Sequence, residues 1–169
     1  MTSAVESSTG CIFCDTSGPG RDDLVLVRGR YVYAMLNLYP YNNGHLMIVP
    51  FRHVATLAAT TSDEQTELMG FTRLAEMALT EAYAPQGINV GINLGRSAGA
   101  GVADHLHVHL VPRWTGDTNF ISVIGETRVL PEDLAATKKR LQPIVERLAR
   151  DAREGVGPTR TGKTADTLD

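Results

Sequence analysis

Between positions 104 and 113 the chain reads Asp104-His105-Leu106-His107-Val108-His109-Leu110-Val111-Pro112-Arg113, with three histidines alternating with apolar residues. This run holds three of the five histidines in the chain. A period of two belongs to an extended strand, where residues i, i+2 and i+4 share a face. A helix scatters the same spacing, because i and i+2 do not meet on its surface. His105, His107 and His109 are therefore expected on one face, and Leu106, Val108 and Leu110 on the other, buried beneath a helix. Three adjacent imidazoles disfavour charge on one another, which keeps them neutral near pH 7. A half-buried strand carrying its histidines by chance, or a metal site, would leave the same pattern, so the flanking segments must decide.

Those segments read as a regular alternation of elements. Leu24–Arg28 and Tyr31–Leu38 are two strands joined at Gly29-Arg30, a link short enough for a tight hairpin. Tyr39-Pro40-Tyr41-Asn42-Asn43-Gly44 is rich in turn residues, and His45–Pro50 follows as a third strand. A long helix is expected from Ser62 to Ala84, with Ser62 as N-cap and Gln65 completing a capping box. Leu68, Phe71, Leu74, Ala75, Ala78 and Ala82 repeat along one face of it, and Pro85 and Gly87 end it. Ile88–Leu94 alternates as a fourth strand. Gly95-Arg96-Ser97-Ala98-Gly99-Ala100-Gly101 then supplies glycines that let backbone N–H groups approach a phosphate. A last helix is expected over residues 131–153, with Pro131 in its first turn and Leu134, Leu141, Val145 and Leu148 as its apolar stripe. Pro143 should kink or split it, and Gly155-Val156-Gly157-Pro158 should stop it.

A chain of 169 residues is about one domain, and its 43% hydrophobic content is enough for a core. The expected division is a flexible N-terminus over 1–10, one domain over 11–153 and a disordered tail over 154–169. A net charge of −3 argues against a general nucleic-acid surface. No apolar run approaches the ~20 residues of a membrane span. Met1–Gly10 lacks the basic and apolar regions of a signal peptide, so the expected location is cytoplasmic.

Cys11-Ile12-Phe13-Cys14 is either a redox pair or half of a tetrahedral zinc site. It follows a polar stretch and precedes Thr16-Ser17-Gly18-Pro19-Gly20, rather than following a strand and opening a helix, which disfavours redox catalysis. Zinc would need two more ligands, and His53 and His105 are candidates.

The run His105-Leu106-His107-Val108-His109-Leu110-Val111 resembles the signature of the histidine triad (HIT) family, and the resemblance extends over about residues 11–125. It implies an α+β HIT fold: a five-stranded, mostly antiparallel sheet with a long helix and a C-terminal helix. It implies that His107, the middle histidine, is a nucleophile toward a nucleoside 5′-phosphate linkage, forming a covalent nucleotidyl-histidine that a second acceptor resolves. His109 would touch the phosphate or the leaving oxygen, and His105 completes the triad. Asn37 corresponds to the family's ribose-binding position, where an amide suits a vicinal diol. Asn93, Ser97, Gly99, Ala100 and Gly101 fall in the family's phosphate loop. Many relatives place Ser, Thr or Gln just before the triad, where this chain has Ala100 and Gly101. His45 stands where the family often has a histidine. Some relatives hold structural zinc with the equivalents of Cys11, Cys14, His53 and His105, and need no organic cofactor.

The stretch from Arg113 to Phe120, with the single tryptophan Trp114, resembles the dinucleoside polyphosphate phosphorylase and hydrolase branch. Trp114 would stack on a base, or else pack in the core. The resemblance further implies a nucleotide substrate, diadenosine tetraphosphate above all, and a homodimer formed through the first helix and adjoining strands. Water would make the protein a hydrolase and phosphate a phosphorylase; Arg96 and Arg113 would favour a small anion. Alternatives are a purine nucleoside phosphoramidase and a non-catalytic nucleotide-binding interaction protein. A galactose-1-phosphate uridylyltransferase-like enzyme would carry Gln at the third histidine, which His109 argues against.

Overall fold

The computed structural model describes residues 10–15, 22–102, 104–117 and 132–155. The expectations for Pro131, for Thr118 to Phe120 and for most of both termini lie outside them. Five strands form one sheet: β1 (Val25–Arg28), β2 (Val32–Leu36), β3 (Leu46–Pro50), β4 (Gly87–Ile92) and β5 (Val108–Arg113). Their order is β1-β2-β3-β5-β4 and every neighbouring pair is antiparallel. Helix α1 (Ser62–Tyr83) packs against β2, β3 and β5, and α2 (Leu134–Arg153) packs against α1 and β1. Among the large side chains fully buried in the core are Tyr33, Leu36, Leu46, Ile48, Leu79, Leu106, Leu110 and Leu141. Removing each from water contributes roughly 1.5–3 kcal/mol, which is why the apolar half of the triad strand anchors the sheet. Among the described residues no helix is long and apolar enough to cross a membrane.

Several local expectations are corrected by tertiary contacts. The β1–β2 link has three residues, Gly29 to Tyr31, not two. The Glu67 carboxylate of α1 accepts from the N–H groups of Arg30, Tyr31 and Val32 and so sets the turn from outside the hairpin. A Cβ at Gly29 would sit 2.8 Å from Glu67 Oε1 and 2.8 Å from Phe71 Cζ, so any side chain there would have to push that carboxylate and ring aside.

The N-cap of α1 is Thr61 rather than Ser62, with Glu64 rather than Gln65 as the reciprocal partner. Glu64 Oε2 accepts from Thr61 N at 2.7 Å and from Arg52 at 2.7 Å, so a long-range ion pair selects the frame one residue earlier. Gln65 donates instead to Thr60 Oγ1. Pro143 lies inside α2 without splitting it; Thr137, Leu141, Val145 and Ala149 run down its buried side at four-residue spacing. Pro112 sits in β5 opposite Ile88, but past the residues that pair with β3. There Asn42 Nδ2 donates to the Pro112 carbonyl, so the missing N–H breaks no ladder bond with β3.

β4 ends the sheet and is largely exposed, with Val90 52% accessible. The loop between β2 and β3 is pinned at two points. Asn42 donates to Pro112 and Asp117, and Asn43 accepts from Glu132 N at the start of α2.

Candidate active site

The regular strand begins only at Val108, so of the triad only His109 lies in the ladder, opposite Met47 and Gly91. The alternation persists beyond it: Leu106, Val108 and Leu110 are buried in the core. The histidine face is not open either. His105 and His107 are buried, and only His109 is partly exposed.

Backbone and side-chain partners settle which nitrogen of each ring carries the proton. His107 Nδ1 lies 2.8 Å from the His105 carbonyl, an acceptor only, so Nδ1–H donates and Nε2 keeps its lone pair. His45, 1% exposed, accepts from Tyr41 N at its Nδ1. Its Nε2–H therefore donates to His109 Nδ1 at 2.9 Å. With Nδ1 an acceptor, neutral His109 carries its proton on Nε2. The two neighbouring rings, 4.7 Å apart and nearly perpendicular, thus carry opposite faculties: His107 a basic nitrogen, His109 an N–H donor.

Burial keeps the cluster neutral. It pushes His45 to about 3, with His109 and His107 adding to the effect. It pushes His109 to about 4, His107 contributing. Burial likewise lowers His107, against the opposing pull of the His105 carbonyl. An unprotonated His107 is the form in which an imidazole is nucleophilic.

The third histidine faces elsewhere. His105 Nε2–H donates to the Pro50 carbonyl at 2.9 Å, which turns Nδ1 toward the cysteines. Cys11 Sγ lies 3.3 Å from that nitrogen and Cys14 Sγ 3.5 Å; Cys14 Sγ is also 3.3 Å from His53 Nδ1. All four donor atoms fall within 4.8 Å of one another. Two sulfurs and two imidazole nitrogens at such spacing suit tetrahedral zinc, with bonds of about 2.3 Å to sulfur and about 2.0 Å to nitrogen. The carbonyl on the far nitrogen of His105 is the outer-shell partner that orients a metal-ligating imidazole.

These features point to one lineage, and the HIT domain family model matches residues 20–116. The chain belongs to the HIT family. This HIT protein is 53% identical over 120 residues to a Mycobacterium tuberculosis protein named AP-4-A phosphorylase, covering 71% of this chain and 62% of that one. The chain thus spans less than two thirds of that relative's length. A hypothetical histidine triad nucleotide-binding protein of Sulfolobus tokodaii shares the fold, with a TM-score of 0.66 and 26% identity over 83% of this chain and 95% of that one. A Zn-bound histidine triad family protein of Mycobacterium smegmatis shares it at a TM-score of 0.67 and 23% identity, over 83% and 96% of the two chains.

Other residues of interest in this HIT protein lie as follows. Asn37 follows β2; its Oδ1 accepts from Tyr39 N and its Nδ2 lies 3.4 Å from His45 Nδ1. The loop after β4 is organised by Gly95 and Gly99 in the left-handed region, with a single turn over Arg96–Ala98 between them. Asn93 Nδ2 donates to the Gly99 carbonyl, and Ser97 is exposed. The N–H groups of Ala98, Gly99 and Ala100 bond back to Gly95 and Arg96. Gly101, just before the triad, is exposed. Arg113 is tied to Asp117 at 2.7 Å and to Asn89, so its charge is already compensated. Trp114 packs edge-on against Tyr83, beyond the end of β5.

Two residues outside the sequence-based site lie against it. His45 orients His109 and accepts from Tyr41 N of its own loop; from sequence, packing or a loop hydrogen bond is as credible a role for it as ligand contact. Phe13, between the cysteines, lies against His107 and His105. Only its place inside a Cys-x-x-Cys pair marked it.

Proposed function

We propose that the protein is a nucleotidyltransferase or hydrolase of dinucleoside polyphosphates, with diadenosine tetraphosphate as substrate. The observation that carries this reading is the complementary tautomer pair of His107 and His109. His107 Nε2 attacks the α-phosphorus and forms a P–N bond while the bridging P–O bond breaks. The departing phosphate oxygen leaves as an anion and takes a hydrogen bond from His109 Nε2–H, and His45 holds that ring in the required tautomer. A second acceptor then attacks phosphorus, the P–N bond breaks and His107 Nε2 recovers its lone pair. Preorganised donors at the developing charge typically contribute ~10²–10³-fold each.

Asn37 is our candidate for the ribose hydroxyls. Asn93, Ser97, Gly99, Ala100 and Gly101 are our candidates for the phosphates, and Trp114 for the edge of the nucleotide site. The name of the Mycobacterium tuberculosis relative supports phosphate as acceptor. Phosphate would return ADP and ATP from diadenosine tetraphosphate, whereas water would return AMP and ATP.

Cys11, Cys14, His53 and His105 would hold zinc, whose role is to clip the N-terminal segment to the triad; four protein ligands leave it closed. The zinc named in the Mycobacterium smegmatis relative supports this. The cysteines serve as ligands while reduced, so we place the protein in the cytoplasm. The exposed edge strand β4 and exposed Met69 on α1 support a homodimer that extends the sheet.

The test is incubation with diadenosine tetraphosphate with and without phosphate, and identification of products, using wild type and His107→Ala. We expect phosphate-dependent ADP and ATP, abolished by the substitution. AMP and ATP at a rate indifferent to phosphate would make it a hydrolase. Turnover retained in His107→Ala would remove the nucleophile assignment.

A further inference from the structure

Phe13 has a position that the metal ligands alone do not account for. It is 4% exposed although it lies between two cysteines of a short N-terminal segment. Its ring centroid is 4.9 Å from that of His107, tilted by 45°, and 5.5 Å from that of His105, edge-on. Its carbonyl accepts from the Tyr33 hydroxyl of β2 at 2.8 Å in the core. Phe13 is thereby held at both ends, by the Cys11–Cys14 clip and by the sheet. The His107 ring lies between Phe13 and the perpendicular ring of His109. Among the described residues its one hydrogen-bonding anchor is the Nδ1–H bond to the His105 carbonyl, which by itself leaves the plane of the imidazole free to tilt.

Resting on the reading of His107 as the nucleophile, we propose that Phe13 is a positioning residue for it. Its ring is the wall that fixes the plane of the imidazole and so the line along which Nε2 meets phosphorus. Reaction at a bound phosphate depends on near-attack alignment, and a misplacement of about 1 Å is enough to cost ~10²-fold in rate. The consequence is an unusual division of labour. A residue more than ninety positions from the triad in sequence, sitting in what looks like a purely structural metal knuckle, sets the aim of the reacting atom.

The test is Phe13→Leu, which keeps apolar bulk at the site but removes the flat ring, assayed as purified zinc-containing protein beside wild type and His107→Ala. We expect kcat to fall by about tenfold or more with KM within about twofold, at unchanged zinc content. Histidine-selective 15N spectra should show one Nδ1–H tautomer for His107 in wild type and a mixture in Phe13→Leu. A zinc-replete Phe13→Leu protein with wild-type kcat would overturn the proposal. So would a loss of kcat that appears only with loss of zinc and leaves the His107 tautomer single, since Phe13 would then only hold the knuckle. Active His107→Ala would instead remove the nucleophile reading on which the proposal rests, whereas inactive His107→Ala beside wild-type Phe13→Leu removes the positioning role alone.

Discussion

Replacing His45 with glutamine should remove one proton from the acid limb of the stability profile. The side chain is 1% exposed, and burial, aided by His109 and His107, pushes its pKa to about 3. In the unfolded chain it returns to about 6.5. The native state therefore keeps His45 neutral at pH values where the unfolded state binds a proton. For a base with a depressed native pKa, this contribution is fully present above about 6.5 and is lost as pH falls toward 3. One proton of difference is worth about 1.4 kcal/mol per pH unit. Relative to its value well above pH 6.5, His45 alone should then remove about 2 kcal/mol by pH 5.0 and about 3 kcal/mol by pH 4.0. Glutamine does not titrate, and it retains a donor for His109 Nδ1 and an acceptor for Tyr41 N–H. Urea unfolding at fixed protein concentration, at pH 7.0, 6.0 and 5.0, should show the two profiles converging as pH falls. Other titrations, including that of the metal ligands, are common to both proteins and cancel in the difference. Parallel profiles would refute the reasoning, because they would mean that native His45 takes up its proton as readily as the unfolded chain.

Cys14→Ser should reduce bound zinc from about one per chain to none by metal analysis. It should lower Tm by ~10 °C, at about 2–4 °C for each kcal/mol lost in a domain of this size; an unchanged zinc content would show that the quartet is not the binding site. Glu67→Ala strands three backbone donors of the β1–β2 turn, of which Val32 N is fully buried, and should destabilise by about 2 kcal/mol in urea unfolding. A cost below about 0.5 kcal/mol would mean that water replaces the carboxylate.

Much of this architecture is legible because local patterns happen to agree with global ones. The apolar residues Leu106, Val108 and Leu110 alternate and are buried. The helical repeat from Leu68 to Ala78 produces α1, since an amphipathic face has nowhere else to go. Where the agreement fails, a distant partner is responsible. Thr61-x-x-Glu64 and Ser62-x-x-Gln65 are both credible capping boxes, and it is Arg52, outside the helix just past β3, that favours Glu64. The hairpin link is three residues because Glu67, on another element, collects its amides. β4 alternates like a half-buried strand, yet its position at the sheet edge leaves it largely exposed.

The site divides the same way. The sequence by itself determined that three histidines share a strand-like run, because side-chain alternation is a property of extended backbone and needs no partner. It also determined which residue types lie within reach of phosphate chemistry and metal binding. Only the tertiary structure decided what each ring does. His105 turns toward Cys11 and Cys14 because the Pro50 carbonyl takes its other nitrogen. His107 keeps a basic Nε2 because a carbonyl takes its Nδ1 proton. His109 becomes a donor because His45, 64 positions away in sequence, donates to it. A neutral imidazole has one proton and two nitrogens, so its role is set by whichever partner the fold brings to one of them.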